Sequence, residues 1–271
     1  MVTYGNVGYL VRRRSWGPLP RLDGKVVLVT GAKAGLGRAI ADGLARLGAE
    51  VHVAVRGEVE LPFTVHTLDI SVLEDVRAFA AGWEGPLHAV IHNAGVMPPR
   101  RSLTSEGHEL TLATHVLGPH LFTKLLPAER SIWVSSGGMY GQKLVTDDLE
   151  YLKSEYKPVT AYARTKRMQV VLAKEWARRG RHASSGHPGW VDTPGITHSL
   201  PGFSKLNRPI LRTPQQGADT FVWLAGADVP AGRFWHDRKA RPEHYLGLHR
   251  ESETDCRTFW ETVEGLSGAP A

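Results

Sequence analysis

From Lys25 onward, short apolar runs alternate with segments whose apolar residues recur every three or four positions. That alternation predicts a parallel sheet built from β–α–β units. Val26–Val29 reads as a first strand and Gly31–Gly37 as a turn. Leu36, Ala39, Ile40, Leu44 and Leu47 then share one helical face. Val51–Val55 reads as a second strand, Val65–Leu68 as a third, and Val72–Gly82 as a helix. Ala89–His92 forms a fourth strand that ends at Asn93-Ala94-Gly95. A long helix is expected over Glu106–Leu126, interrupted near Gly118-Pro119. Ile132–Val134 is a fifth strand that closes in Ser135-Ser136-Gly137-Gly138. Tyr162–Arg178 is the next long helix, with Ala161, Thr165, Met168, Val171 and Leu172 as its apolar contacts. A sixth strand belongs at Arg181–Gly186, but Arg-His-Ala-Ser-Ser-Gly is poor material for a central strand. Helices follow over Gln215–Ala225 and Thr254–Leu266. Neither an internal repeat nor a low-complexity tract nor a linker interrupts the pattern, so one domain is expected over 22–271, preceded by an extension over 1–21.

Only eight residues, Arg56 to Phe63, separate the second and third strands. A parallel crossover usually takes ten to twelve residues or more, normally with a helix. Eight extended residues span roughly 26 Å, enough to return along a typical strand. The crossover helix is therefore expected to be missing, which leaves part of one sheet face uncovered. The N-terminal segment, with Tyr9, Leu10 and Trp16, is the expected cover.

Composition narrows the function. The 271 residues, 42% hydrophobic and 22% charged, suit a soluble domain with a real core. The net charge of +6 tolerates an anionic ligand, although scattered surface arginines explain it better. The basic residues are dispersed and accompany no nucleic-acid reading motif. A single cysteine, Cys256, excludes an intrachain disulfide and fits a reducing, cytoplasmic setting. No run approaches the roughly 18 apolar residues of a membrane span. The first sixteen residues carry Arg12, Arg13 and Arg14 but not the long apolar stretch of a secretory signal. They read as a short packed or frayed extension, with a membrane-surface role as the weaker alternative. The 13 histidines form no ligand-spaced cluster, which argues against a metal-dependent hydrolase.

The glycine turn Thr30-Gly31-Ala32-Lys33-Ala34-Gly35-Leu36-Gly37 lies between a strand and a helix, the context that gives such a pattern weight. Glycines permit the tight turn and let a pyrophosphate approach the backbone, and the helix N-terminus offers unpaired N–H groups. Ribose choice is normally read at the end of the second strand, and Val55-Arg56-Gly57 has no acid there. Arg56 would accept a 2′-phosphate, with Lys33 as a second positive charge, so NADP(H) is favoured over NAD(H). The competing reading of Arg56 is a solvated surface arginine.

Tyr162 and Lys166 stand four apart on one helical face, and no other tyrosine here has a lysine at that spacing. A phenol with a pKa of about 10 is a reluctant proton donor or acceptor at neutral pH, and a nearby ammonium favours its ionised form. Ser136, at a strand end, is placed to hydrogen-bond a substrate oxygen.

The Gly-x-x-x-Gly-x-Gly turn, Asn93-Ala94-Gly95 and Ser136/Tyr162/Lys166 together resemble the short-chain dehydrogenase/reductase family. The run Ser135–Met139 and the segment His187–Gly195 are similar to its subgroup around dehydrogenase/reductase member 12. The resemblance covers roughly 22–225. It implies a Rossmann-type doubly wound sheet and an oxidoreductase that transfers hydride between nicotinamide and a carbonyl or alcohol. Tyr162 would be general acid/base, Ser136 would hold the substrate oxygen, and Lys166 would hold the nicotinamide ribose. It also implies that Gly31, Ala34, Gly35, Leu36, Gly37, Asp69, Ile70, Asn93, Ala94, Gly95, Pro188, Gly189, Val191 and Thr193 line the cofactor. The family's usual asparagine is replaced by His115. In the family that residue works through its main-chain carbonyl, and Pro119 has no N–H to bond the carbonyl of His115. The expectation is a backbone role with an optional imidazole, against a proton-shuttling or an ordinary buried histidine. The proline-bounded stretch over about 194–212 is the expected substrate lid, and its apolar composition suggests a small hydrophobic substrate. Family members often assemble through two long helices, so a homo-oligomer is allowed. The runner-up is a catalytically impaired relative that binds or senses NADP(H).

Overall fold

The computed structural model describes residues 4–192, 208–245 and 249–268. One eight-stranded sheet organises them, in the order β3-β2-β1-β4-β5-β6-β7-β8. The strands are β1 (Val26–Thr30), β2 (Glu50–Val55), β3 (Thr64–Thr67), β4 (Ala89–His92), β5 (Arg130–Val134), β6 (Ala183–Gly186), β7 (Phe234–His236) and β8 (Lys239–Arg241). All pairings are parallel except β7 with β8. This is the doubly wound Rossmann-type arrangement. Because both faces are covered, β1 and β4 read as nearly continuous apolar runs. On one face Val27, Val29, Ile40, Leu44, Val53 and Phe221 form a core. On the other, Leu28, Val116, Leu121, Trp133, Leu172 and Phe259 form a second.

The helices are α1 (Asn6–Arg13), α2 (Gly35–Arg46), α3 (Leu73–Ala81), α4 (Leu110–Leu112), α5 (Gly118–Leu125), α6 (Pro158–Arg178), α7 (Pro214–Leu224) and α8 (Glu253–Ser267). A π-helical turn, Ala113–Leu117, joins α4 to α5. The long helix expected from Glu106 therefore starts at Leu110. Glu109 caps it, accepting from the N–H groups of Thr111 and Leu112. Glu106 caps a different helix, accepting from Leu73 and Glu74 at the start of α3.

Three expectations meet the structure at the sheet edges. No helix occupies the link between β2 and β3, as eight residues dictate. The N-terminal segment does not cover the gap. Leu61, Phe63 and Val65 pack there against the core beside α2, and the Arg38 guanidinium sits over the Phe63 ring. The segment instead docks near β6 and β7, where Trp190 N donates to the Tyr4 carbonyl and Arg12 pairs with Asp237. The rings of Tyr4, Tyr9 and Trp16 likewise pack at that edge, against His187, Arg212 and Arg238.

The third is β6, an unpromising sequence that is nevertheless a buried central strand. Its neighbours explain the small residues. Ser185 lies between Trp133 of β5 and Phe234 of β7, and Gly186 between Val134 and Trp235. A Cβ on Gly186 would come 2.8 Å from the Trp235 carbonyl oxygen. The β7 backbone and the Phe221 ring of α7 set the size limit at this position. The β7–β8 hairpin has three-residue strands that gave no period-2 signal of their own.

Candidate active site

The turn between β1 and α2 is built for close backbone approach. Gly31 and Gly35 have left-handed φ of +70° and +60°. A Cβ on Gly31 would meet the Ala94 Cα at 2.7 Å, and one on Gly37 would overlap the Asn93 side chain. Asn93 Nδ2 donates to the carbonyls of Thr30 and Gly31 at 2.9 and 3.1 Å, while the N–H groups of Asn93 and Ala94 donate to Thr30 Oγ1. The Asn-Ala-Gly turn thus holds the glycine turn from below. Ala34, the N-cap of α2, makes no side-chain capping bond. The first N–H groups of α2 therefore lack a side-chain acceptor, which is the donor set a phosphate group fits.

Arg56 is exposed at the end of β2, with Nη1 3.9 Å from Asp69 Oδ2. Asp69 Oδ1 accepts from the N–H and hydroxyl of Ser71. Lys33 is exposed on the glycine turn. Ile70 is buried, and its carbonyl lies against Gly118, leaving no room for a Cβ there. A Cβ on Gly217 of α7 would touch Val191, Leu36 and Pro188 together, so the glycine turn and the segment after β6 converge on one place. Gly189 takes a left-handed φ of +84°, and its N–H donates to His187 Nδ1. Thr193 and most of the expected lid lie outside the described residues.

Ser136 follows β5 and Tyr162 lies on α6, with the Ser136 hydroxyl near enough to the phenol to favour its ionised form. Burial pushes the Tyr162 phenol up to about 12, and the nearby Ser136 hydroxyl acts to lower it. Burial alone pushes Lys166 down to about 7. Lys166 Nζ lies 5.4 Å from the centre of the Tyr162 ring and donates to the Val134 carbonyl at 2.8 Å and to Gln169 Oε1 at 3.0 Å. Desolvation therefore dominates the pair: the tyrosine stays protonated and the lysine readily gives up its charge.

His115 sits in the π-helical turn, fully buried, with its ring edge-on to Tyr162 at 5.5 Å. Its Nε2 accepts from Val96 N at 2.9 Å, so its Nδ1 carries the proton and donates to Thr165 Oγ1 at 2.7 Å. Burial, then Lys166, holds its pKa far below the ordinary value. Both ring nitrogens are engaged. Its carbonyl, which the missing N–H of Pro119 was expected to leave open, accepts from Gln169 Nε2 at 3.0 Å.

Sequence reasoning did not single out Gln169, Arg212 or Asp237. Gln169 did leave a signal, as a polar residue on the buried face of a predicted helix. Arg212 and Asp237 left none. Arg212 donates to Asp237 through two bonds (2.6 and 2.9 Å), to the Pro188 carbonyl (3.1 Å) and to the Gly5 carbonyl (3.2 Å). One guanidinium thereby ties the N-terminal segment, the stretch after β6 and the end of β7. Among the described residues there is no group of three or more histidine, cysteine or acidic side chains able to hold a metal. No described helix is long and apolar enough to cross a membrane.

Residues 27–200 match the model of the NAD dependent epimerase/dehydratase family. The chain is 38% identical over 277 residues to human dehydrogenase/reductase SDR family member 12, covering 91% of this chain and 87% of that one. It is 33% identical over 285 residues to human retinol dehydrogenase 11, with 92% and 88% covered. An uncharacterised protein from Mycobacterium paratuberculosis superposes with a TM-score of 0.77 at 27% identity, over 93% of this chain and 97% of that one. A short-chain dehydrogenase from Shigella flexneri complexed with NADP gives 0.63 at 21% identity, over 82% and 100%.

Proposed function

The chain belongs to the short-chain dehydrogenase/reductase family, and on that premise we propose that it is an NADP(H)-dependent oxidoreductase acting on a carbonyl or alcohol. The observation that carries this reading is the meeting of a strand-end hydroxyl, Ser136, with the Tyr162 phenol, one turn from the buried Lys166. The glycine turn, the uncapped start of α2 and the Asn93 brace fit a dinucleotide. When bound, its nicotinamide supplies the hydride chemistry. Gly31, Gly35, Gly37, Asn93, Ala94, Gly95, Pro188, Gly189 and Val191 are the residues that would hold it, with Arg56 and Lys33 facing a 2′-phosphate. Dehydrogenases and reductases are also what the relatives are named for.

Tyr162 is the proton donor to the substrate oxygen in reduction and the acceptor in oxidation. A phenol pushed up to about 12 is fully protonated at neutral pH, the form a donor requires. Ser136 hydrogen-bonds the same oxygen and steadies the charge that develops there. Lys166 exchanges a proton near neutrality, so it can reprotonate Tyr162 between turnovers. The substrate is a small carbonyl or alcohol, and the protein works as a soluble, cytoplasmic catalyst.

A second reading, NADP(H) binding without turnover, is favoured by one observation: Lys166 spends two donors on Val134 and Gln169 and does not lower the phenol. NADPH consumption across a panel of aldehydes and ketones separates the two, with Tyr162→Phe as control. Turnover that falls by about 10²–10⁴-fold in the variant, with NADPH still bound, supports catalysis. NADPH binding with no turnover of any panel member would leave the sensor.

A further inference from the structure

Gln169 is 0% exposed on α6, three residues after Lys166, and both ends of its carboxamide are used. Nε2 donates to the His115 carbonyl and Oε1 accepts from Lys166 Nζ, each at 3.0 Å. The orientation is forced. A flipped amide would set its NH₂ against the lysine's donors and its oxygen against a carbonyl. The His115 carbonyl is available because residue 119, four positions on, is a proline without an N–H. The π-helical turn and α6 are thereby joined at the His115 backbone through Gln169, as they are at its ring through Thr165. The Val134 carbonyl takes a second lysine donor and so fixes the ammonium from β5. A charged lysine has three donors, of which these bonds use two, and its Nζ lies 5.4 Å from the centre of the Tyr162 ring.

We propose that Gln169 is a positioning residue, which clips the His115 backbone to Lys166 and so fixes the lysine's direction and its affinity for a proton. The proposal rests on reading Tyr162 and Lys166 as the reacting pair. Burial disfavours the charged lysine, while an acceptor in a fixed place favours it, so removing Gln169 should lower the lysine's affinity for a proton. The titratable groups that face Lys166 are Tyr162 on its own helix and His115 from the π-helical turn. His115 stays neutral, so it does not shift the lysine's charge as pH changes. A glutamine that merely filled space would leave the lysine's titration unchanged when replaced by an apolar residue of like size.

The test follows the carbon NMR signal of the Lys166 ε-methylene through a pH titration of the whole protein, assigned by its loss in Lys166→Met. Gln169→Leu removes the acceptor, and the midpoint should fall by about one pH unit. Gln169→Glu keeps an acceptor, adds charge, and should raise it by at least as much. If Gln169→Leu does not fold, the Gln169→Glu arm decides alone. A midpoint that stays put in the variant, with NADPH affinity kept, overturns the proposal. With a working substrate, Gln169→Leu should lower kcat about tenfold or more with little change in cofactor KM, and move the pH–rate limb with the NMR midpoint. The NMR reading needs no turnover. A clear shift in a protein that turns over nothing would therefore sink the enzyme reading and leave the clip standing.

Discussion

At the β1–β3 end, the site is backbone: two left-handed glycines, an asparagine that braces them, and a helix that begins without a side-chain cap. Beyond β6 it is made of buried side chains from distant parts of the chain, with Arg12, Arg212 and Asp237 as one ionic knot. The first end tolerates a bare loop where a helix would be expected, because Leu61 and Phe63 fill the space themselves. The second end has no such slack. Charges taken out of water must be matched by partners in fixed places, so its parts stand or fall together.

The largest expected effect is at that knot. Arg212 and Asp237 side chains are each 1% exposed. Burial works against the Asp237 charge, but the Arg212 hydrogen bonds, with His236, still hold its carboxyl below the usual range. Asp237→Ala would leave the guanidinium uncompensated and should cost about 3–5 kcal/mol, read as a fall in the urea midpoint. The matching pair at the other end, Arg38 with Asp42, is about a third exposed and should give well under about 1 kcal/mol when broken. Equal losses at the two pairs would erase the contrast.

Acid should also separate the ends. His92, His115 and His187 are all held neutral by burial, His92 down to about 3. At the β2–β3 edge, His52 and His66 pair with each other and are only half-buried. A buried histidine with a lowered native pKa binds its proton first in the unfolded chain. Stability is therefore complete above about pH 6.5 and is lost as pH falls toward the native value. Well inside that window each such group contributes a slope of about 1.4 kcal/mol per pH unit. His92→Phe should remove roughly one proton's worth of slope between pH 6.5 and 4 in urea titrations. Hydrogen exchange at pH 5 should show β6 and β7 loosening before β1 and β2. Uniform loosening would mean that the sheet opens as one unit.

The same division decides what could be read from the sequence. A glycine turn, Asn93-Ala94-Gly95 and the Tyr162/Lys166 spacing are local patterns, and eight residues suffice to rule out a crossover helix. Strand β6 is hard to read because the space at Gly186 is set by the β7 backbone at Trp235 and by the Phe221 ring, both far along the chain. The docking site of α1 and the Arg212–Asp237 pair depend on residues more than 200 and 25 positions apart. No window along the chain contains them. Gln169 lies between these cases: its neighbour Lys166 is local, but its partner His115 is 54 residues away.

The smallest effect should come from the most legible end. Arg56 is 62% exposed and lies beside Asp69, so its charge is screened and nothing in the fold depends on it. Arg56→Asp should therefore leave thermal stability nearly unchanged. It would place a carboxylate where a 2′-phosphate is expected, and weaken NADPH about tenfold or more in fluorescence titrations while NADH changes little. The repulsion acts only on the phosphate, so the ratio of the two affinities is the quantity to follow. If both cofactors weaken alike, Arg56 is a solvated surface residue. If neither changes, the adenosine end is read by Lys33 or by backbone alone.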